Sequence, residues 1–416
     1  MNHTLRIILL LLFFAVMSMV VHAQEKPFEV AKPESVKMSS DSLQKMNAHF
    51  HNLVDQRQLA GIQTAIVRNG KLIHFDSYGY ANLEEKKILN KQSIFRIFSM
   101  TKPIVSVALM QLYEQGKFKL EDPLHKYLPA FKEMQVYTDS TLILAKNPIR
   151  IIDLLRHTSG FSYGRTQHAK LNQIYAEANL YSSQNNKEFV AKLSKLPLSF
   201  EPGTDWQYGL STNICGHLVE VLSGKSLKTY LKDHIFTPLG MNNTYFQLPK
   251  EKIEHFTVGY RWQAETGLFV SESQRNNSYT QEVSLYNGGG GLVSTTIDYL
   301  KFCQMLLQEG TFNAHVILQK ETVKLILKDH LQEVRQHQER FRLPLGEYGF
   351  GFGFAIRGTS ETELDNIFGW GGAVGTYFKI DTDHNIAYVM MIQLSPYRHL
   401  GLRHLFQQYV KSATLK

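Results

Sequence analysis

A serine followed three residues later by a lysine occurs twice in this chain, and the pair is able to do chemistry. Ser99-Met100-Thr101-Lys102 follows the apolar run Ile94-Phe95-Arg96-Ile97-Phe98 and precedes Pro103-Ile104-Val105. Proline is tolerated in the first turn of a helix, where amide protons have no intrahelical partner. The spacing therefore predicts Ser99 at a helix start, with Lys102 one turn on and on the same face. A serine hydroxyl is a weak nucleophile that needs an adjacent base. A lysine near another cation or in a dry pocket loses proton affinity and can serve, or it can activate a second base. A helix N-terminus adds partial positive charge where negative charge develops. Alone, the four residues also fit a helix cap beside a solvated charge. The other copy, Ser42-Leu43-Gln44-Lys45, falls on an amphipathic stretch whose serine and lysine are expected at the surface.

The elements that must position such a pair are legible in outline. Ser39 to Arg57 carries Leu43, Met46, Phe50 and Leu53 at three- and four-residue steps, the pattern of an amphipathic helix. Two strands follow, Gln63 to Val67 and Lys71 to Phe75, joined by Asn69-Gly70, a strong two-residue hairpin signal. From Ser99 to about Leu239 the texture is helical, with apolar helices at Ile104 to Tyr113 and Cys215 to Leu222. Strand signals return at Tyr348 to Arg357, Tyr377 to Ile380 and Ile386 to Gln393, and a helix over Leu400 to Ser412 follows. This order predicts an α+β fold: an antiparallel sheet flanked by N- and C-terminal helices, plus an inserted mostly helical lobe. Residues 24–98 and 285–416 would form the α/β subdomain, and 99–284 the mainly helical one. His330 to Arg342, charged and Gln-rich, reads as a solvated loop or helix end, or as a lid over a site.

Composition narrows the function classes. With 43% hydrophobic and 20% charged residues, the chain is neither a disordered tail nor a coiled coil. Its net charge of +8 is spread over 416 residues with no dense basic run interleaved with aromatics, which argues against nucleic acid. Met1 to Arg6 carries positive charge, Ile7 to Val21 is uncharged, and Val21-His22-Ala23 supplies a small-residue cleavage signal before Gln24. Residues 1–23 therefore read as a secretory signal peptide, and the mature protein as secreted or periplasmic. The run is short of the roughly 20 residues a spanning helix needs, and no cysteine follows it for lipid attachment, so no stable membrane anchor is expected. The two cysteines, Cys215 and Cys303, lie in apolar helical patterns and read as buried free thiols. His49 and His51 point to different helix faces and no His-Glu-x-x-His run exists among the 17 histidines, so no metal or cofactor is expected.

Further segments accompany Ser99 and Lys102 in order. They are His157-Thr158-Ser159-Gly160, then Pro202-Gly203-Thr204-Asp205-Trp206-Gln207-Tyr208-Gly209-Leu210-Ser211, then Gly288 to Asp298, then Gly369-Trp370-Gly371-Gly372-Ala373-Val374-Gly375-Thr376. This ordered set resembles the serine β-lactamase and penicillin-binding protein superfamily, in particular the class C-related β-lactamase-like carboxylesterases (esterase family VIII). The resemblance runs from about Ser39 to Lys416. It implies a β-lactamase/transpeptidase-like fold with Ser99 as the acylated nucleophile. Lys102 would keep its partner deprotonated and shuttle protons. Tyr208 would act as general base on Ser99 and later activate water. A free phenol is a poor base at neutral pH, and a nearby cation favours its anion.

Trp370-Gly371-Gly372 occupies the position of the family's third motif on an inner strand, and the backbone N–H groups of Ser99 and Ala373 would form the oxyanion hole. One such donor is worth roughly 3–4 kcal/mol of barrier. Glycines 371 and 372 suit a strand that lets substrate approach its backbone. Two departures bear on substrate. Leu210 stands where β-lactamases of this branch have an asparagine that binds the lactam side-chain amide, and Asn213 is not taken as its substitute. Trp370 replaces the cation that grips the lactam carboxylate. Both favour a small-molecule substrate with a neutral acyl group, an ester or small lactone. His157 to Gly160 reads as a turn, Gly288 to Gly291 as a close backbone approach at the site edge, and Ser294-Thr295-Thr296 as the cap of a helix over Asp298 to Leu307. The alternatives are a β-lactamase or D-alanyl-D-alanine peptidase, an acyltransferase, and a non-catalytic binding protein on the same fold. Oligomeric state is not written in these residues.

Overall fold

The computed structural model describes residues 28–138, 141–263, 265, 269–271, 278–335, 343, 347–358 and 364–415. The signal segment 1–23 lies outside the described residues. The principal elements, in chain order, are α1 (Ser40–Asp55), β1 (Gly61–Arg68), β2 (Lys71–Asn82), α2 (Thr101–Glu114), α3 (Ser211–Ser223), α4 (Thr296–Leu307), the short α5 (Gln332–Arg335), β3 (Glu347–Phe350), β4 (Ala355–Gly358), β5 (Leu364–Gly371), β6 (Tyr377–Asp381), β7 (Ile386–Met391) and α6 (Leu402–Ala413).

The hydroxyl of Ser39 accepts the amide of Ser42 and starts α1. Leu43, Met46, Phe50 and Val54 recur at helical spacing and are buried against Phe406 and Val410 of α6. Both helices lie on one face of a sheet ordered β2-β1-β7-β6-β5-β4-β3. The hairpin turn has Asn69 and Gly70 at φ 52° and 76°, the two positive angles the Asn-Gly signal calls for. All of β1 is buried because the sheet is covered on both faces. Ile62 and Ile66 face the terminal helices, whereas Ala65 and Val67 face the larger core that includes α2. Pairing is antiparallel throughout this order; the two-residue strand Glu29–Val30 adds a parallel partner to β2.

Two sequence expectations change. Tyr348 to Arg357 is not one strand but two, β3 and β4. Gly353 takes φ 84° and Phe352 donates its amide out of the sheet to Ile326, so the chain turns back on itself. The strand β5 escaped the pattern reading because Asp365, Asn366 and Gly369 break its apolar alternation. The segment between α2 and α4 also contains a hairpin, Gln135–Thr138 with Thr141–Leu144. Helix α2 is buried on nearly every side, from Thr101 through Met110. Helix α4 starts with Thr295 accepting from Asp298, the cap the sequence pointed to. Both cysteines are free and buried.

Candidate active site

Ser99 lies in a 3₁₀ turn, Phe98–Met100, immediately before α2. Phe98 has φ 43°, the left-handed region that a bulky residue adopts only when its surroundings enforce it. The enforcement comes from the segment after Gly288 and from α4. Ile97 donates its amide to Leu292, Thr101 Oγ1 accepts the Leu292 amide at 3.1 Å, and Tyr299 donates its hydroxyl to the Met100 carbonyl at 2.8 Å. The glycine run 288–291 thus lies against the turn that carries Ser99, as its composition suggested.

Lys102 is 1% exposed, and a buried ammonium needs partners for all three of its protons. Its Nζ lies 3.3 Å from Ser99 Oγ, 3.0 Å from the Tyr163 hydroxyl and 2.5 Å from the Gly289 carbonyl. The same nitrogen stands 4.7 Å from the centre of the Tyr208 ring. Gly289 is held in place by Asn287, whose Oδ1 accepts both the Gly289 amide and the Asn213 side chain. Asn213, set aside in the sequence reading, therefore supports the lysine through two intermediaries.

Tyr208 reaches this cluster because Gly209 lets its loop press on the 157–163 segment: a Cβ there would lie 2.0 Å from the Phe161 carbonyl oxygen. The Tyr208 hydroxyl accepts a hydrogen bond from Trp370 Nε1 at 3.2 Å. Ser99, Lys102, Tyr208 and Trp370 are thus one contiguous group. No direct hydrogen bond joins Ser99 to Tyr208 among the described residues; Lys102 lies between them.

Two further residues join the group: Tyr163, which the sequence did not single out, and His157, which it read only as part of a turn motif. Tyr163 shares Lys102, and burial followed by the neighbouring Tyr208 pushes its phenol well above its ordinary pKa, so it remains protonated. His157, expected as part of a plain turn, is completely buried against Tyr208, with ring centroids 5.1 Å apart. Burial, then the Lys102 charge, pushes its pKa well below the usual value, and the imidazole is neutral. Neither residue carries a local spacing signal, because each meets Lys102 or Tyr208 only through tertiary packing.

Gly372 and Ala373 come to Ser99 from the end of β5. A Cβ on Gly372 would lie 2.6 Å from the Ile97 carbonyl oxygen, so only glycine permits this approach of the two backbones. Arg403 of α6, half-buried, donates from one nitrogen to the carbonyls of Gly372 (2.7 Å) and Thr376 (3.0 Å), fixing the turn. Ala373 is exposed. Among the described residues neither its amide nor that of Ser99 has a hydrogen-bond acceptor, the condition of two donors able to receive an oxyanion.

Trp370 packs on Phe350 at 5.5 Å, ring planes at 90°, beside Leu331 and Val334. Of the two readings of this stretch the helical one holds for the short α5, and it is not solvated throughout: Leu331 and Val334 are buried behind Trp370 and Trp206. The remainder of that stretch, 336–342, lies outside the described residues, as does any lid it would form. Leu210 is buried and lines a cavity of about 250 Å³ with Tyr163, Tyr175, Asn179, Leu180 and Tyr181, a lining without a charged side chain. Among the described residues no group of three His, Cys, Asp or Glu side chains could hold a metal ion.

The family model for beta-lactamase matches residues 46–407. The chain belongs to the beta-lactamase family. This family member is similar to Protein Rv1367c of Mycobacterium tuberculosis, 28% identical over 363 residues, covering 84% of this chain and 89% of that protein. It is also similar to esterase EstB of Burkholderia gladioli, 28% identical over 221 residues, covering 52% of this chain and 54% of that one. Among solved structures, EstCE1, described as a hydrolase with promiscuous acyltransferase activity, superposes with a TM-score of 0.71 at 24% identity, covering 88% of this chain and 98% of that one. The likeness shows a β-lactamase/transpeptidase-like fold, and this beta-lactamase family member is an enzyme of the serine-hydrolase type.

Proposed function

We propose that this enzyme is an exported hydrolase of carboxylic esters or small lactones that works through an acyl-enzyme on Ser99. The observation that carries the reading is the position of Lys102 Nζ, 3.3 Å from Ser99 Oγ and over the Tyr208 ring, together with the acceptor-free amides of Ser99 and Ala373. In the first half-reaction Ser99 Oγ attacks the ester carbonyl carbon, and its proton passes to anionic Tyr208, whose charge Lys102 stabilises from the ring face. The carbonyl π electrons move to oxygen, which the Ser99 and Ala373 amides receive. Collapse of this adduct breaks the bond to the alcohol, and the departing alkoxide takes the proton from Tyr208. Tyr208 then removes a proton from water, which attacks the acyl carbon; Ser99 is reprotonated and the acid leaves.

Preference for a neutral acyl group follows from two side chains. Trp370 offers no formal charge to a substrate carboxylate, and Leu210 contributes an apolar wall where an amide-binding group would be needed. Esters also suit the machinery because an alkoxide leaves more easily than an amide nitrogen. The name of EstB, an esterase, supports the same reading. Export rests on residues 1–23, and N-terminal sequencing of protein from the extracytoplasmic fraction should begin at Gln24.

The deciding experiment is intact-mass analysis after a fluorophosphonate probe, alongside hydrolysis of p-nitrophenyl butyrate and of nitrocefin. Wild type should gain one adduct and Ser99→Ala none, with kcat/KM higher for the ester. A higher kcat/KM for nitrocefin would turn the assignment to β-lactams. An unlabelled, folded wild type would mark a binding protein on this fold.

A further inference from the structure

The assignment of Tyr208 as base leaves a question about its hydroxyl. An ammonium has three N–H donors. Those of Lys102 are taken up by Ser99 Oγ, the Tyr163 hydroxyl and the Gly289 carbonyl. Lys102 therefore acts on Tyr208 through the ring face, 4.7 Å away, and supplies no hydrogen bond to its oxygen. The donor that does reach that oxygen is the indole nitrogen of Trp370, at 3.2 Å.

Indole nitrogen is a donor only, so the sense of this bond is fixed. It is also fixed in space, since the ring is wedged against Phe350 beside Leu331 and Val334, and its own ring lies 5.1 Å from that of Tyr208. A hydrogen bond to an oxygen that becomes an anion strengthens as charge develops. We propose that Trp370 is a positioning residue for the base: its N–H fixes the Tyr208 oxygen toward Ser99 and stabilises its anionic form, the hydrogen bond that Lys102 does not supply. Trp370 thus has a role in activation as well as in excluding anionic substrates. This rests on Tyr208 being the base.

The other ionisable groups facing Tyr208 are Lys102 from α2, His157 and Tyr163 from the 157–163 segment, Tyr181 across the cavity, and Arg403 from α6. Indole does not titrate in the working range, so a change at position 370 alters none of their charges directly.

The test replaces Trp370 with its isostere β-(3-benzothienyl)alanine, which keeps the bicyclic ring and loses the N–H, and separately with Phe. Each variant is assayed for kcat and KM with p-nitrophenyl butyrate across pH. Loss of the N–H should lower kcat roughly ten- to a hundredfold at neutral pH, the size of one hydrogen bond to a charged group. The acid limb of the rate profile should move to higher pH, so that activity partly recovers on alkalinisation, with KM little changed. An isostere variant with the wild-type kcat and the wild-type acid limb would overturn the inference, whatever the Phe variant does. Wild type that fails to hydrolyse the ester, or a Tyr208→Phe variant with full rate, would instead overturn the underlying assignment.

Discussion

The carbonyl oxygen of Gly289 stands 2.5 Å from Lys102 Nζ, so one proton of the buried lysine is committed to backbone. A carbonyl can only accept, which orients the amine and leaves its other two positions to Ser99 Oγ and the Tyr163 hydroxyl. As an ammonium, Lys102 donates to all three. As a neutral amine it keeps its bond to Gly289 and presents a lone pair to one of the two hydroxyls. Both protonation states are thus accommodated without moving the side chain, which suits a proton relay.

The two phenols around this lysine should separate in a mutational test. Tyr208→Phe removes the proposed base and should cost at least two orders of magnitude in kcat, the usual scale of general-base catalysis. Tyr163 stays protonated because it is buried, so Tyr163→Phe removes only one of the lysine's partners and should cost roughly tenfold, the worth of a single hydrogen bond. Steady-state rates on one ester with both variants check the order, and equal losses would contradict it.

Gly372→Ala should be inactive but folded. The new methyl would meet the Ile97 carbonyl at 2.6 Å and force the Ala373 amide away from Ser99. The expected loss is roughly 10²–10³ in kcat, that of one oxyanion donor. Probe labelling should slow in parallel, while the thermal midpoint falls by only a few degrees, a shift of roughly 1–2 kcal/mol.

Acidification should destabilise the protein through histidines that are buried neutral. Burial holds His157 well below its ordinary pKa and lowers His74 to about 4. The unfolded chain binds protons on these groups below about pH 6.5, and the folded protein does not, so stability falls as pH drops through that value. Denaturant midpoints at pH 7.5 and pH 5 should show the loss, and His157→Leu should flatten it.

How much of this was legible beforehand depends on the range of the signal. Local signals survived: Asn69-Gly70 makes its turn, Thr295 caps its helix, and the helical face of Leu43, Met46 and Phe50 is buried. The site residues Ser99, Lys102, Tyr208 and Trp370 were visible only as an ordered set of short motifs, and folding brings them together. Tyr163 and Arg403 were not visible, and His157 and Asn213 were seen only as a turn residue and a rejected substitute, because burial and long-range packing define their roles rather than spacing. Strand β5 hid for a related reason: Asp365, Asn366 and Gly369 break the alternation a strand is read by, while Gly372 at its end is required for backbone approach to Ile97.

Arg403 ties the catalytic turn to the periphery. Its guanidinium holds Gly372 and Thr376 from α6, an outer helix seated chiefly on α1. Outer helices open at lower free energy than a central sheet. If α6 frays first on warming, the Gly372–Thr376 turn loses Arg403 while the strands remain paired, so heat inactivation should precede melting, and a bound inhibitor should tighten a helix it never touches.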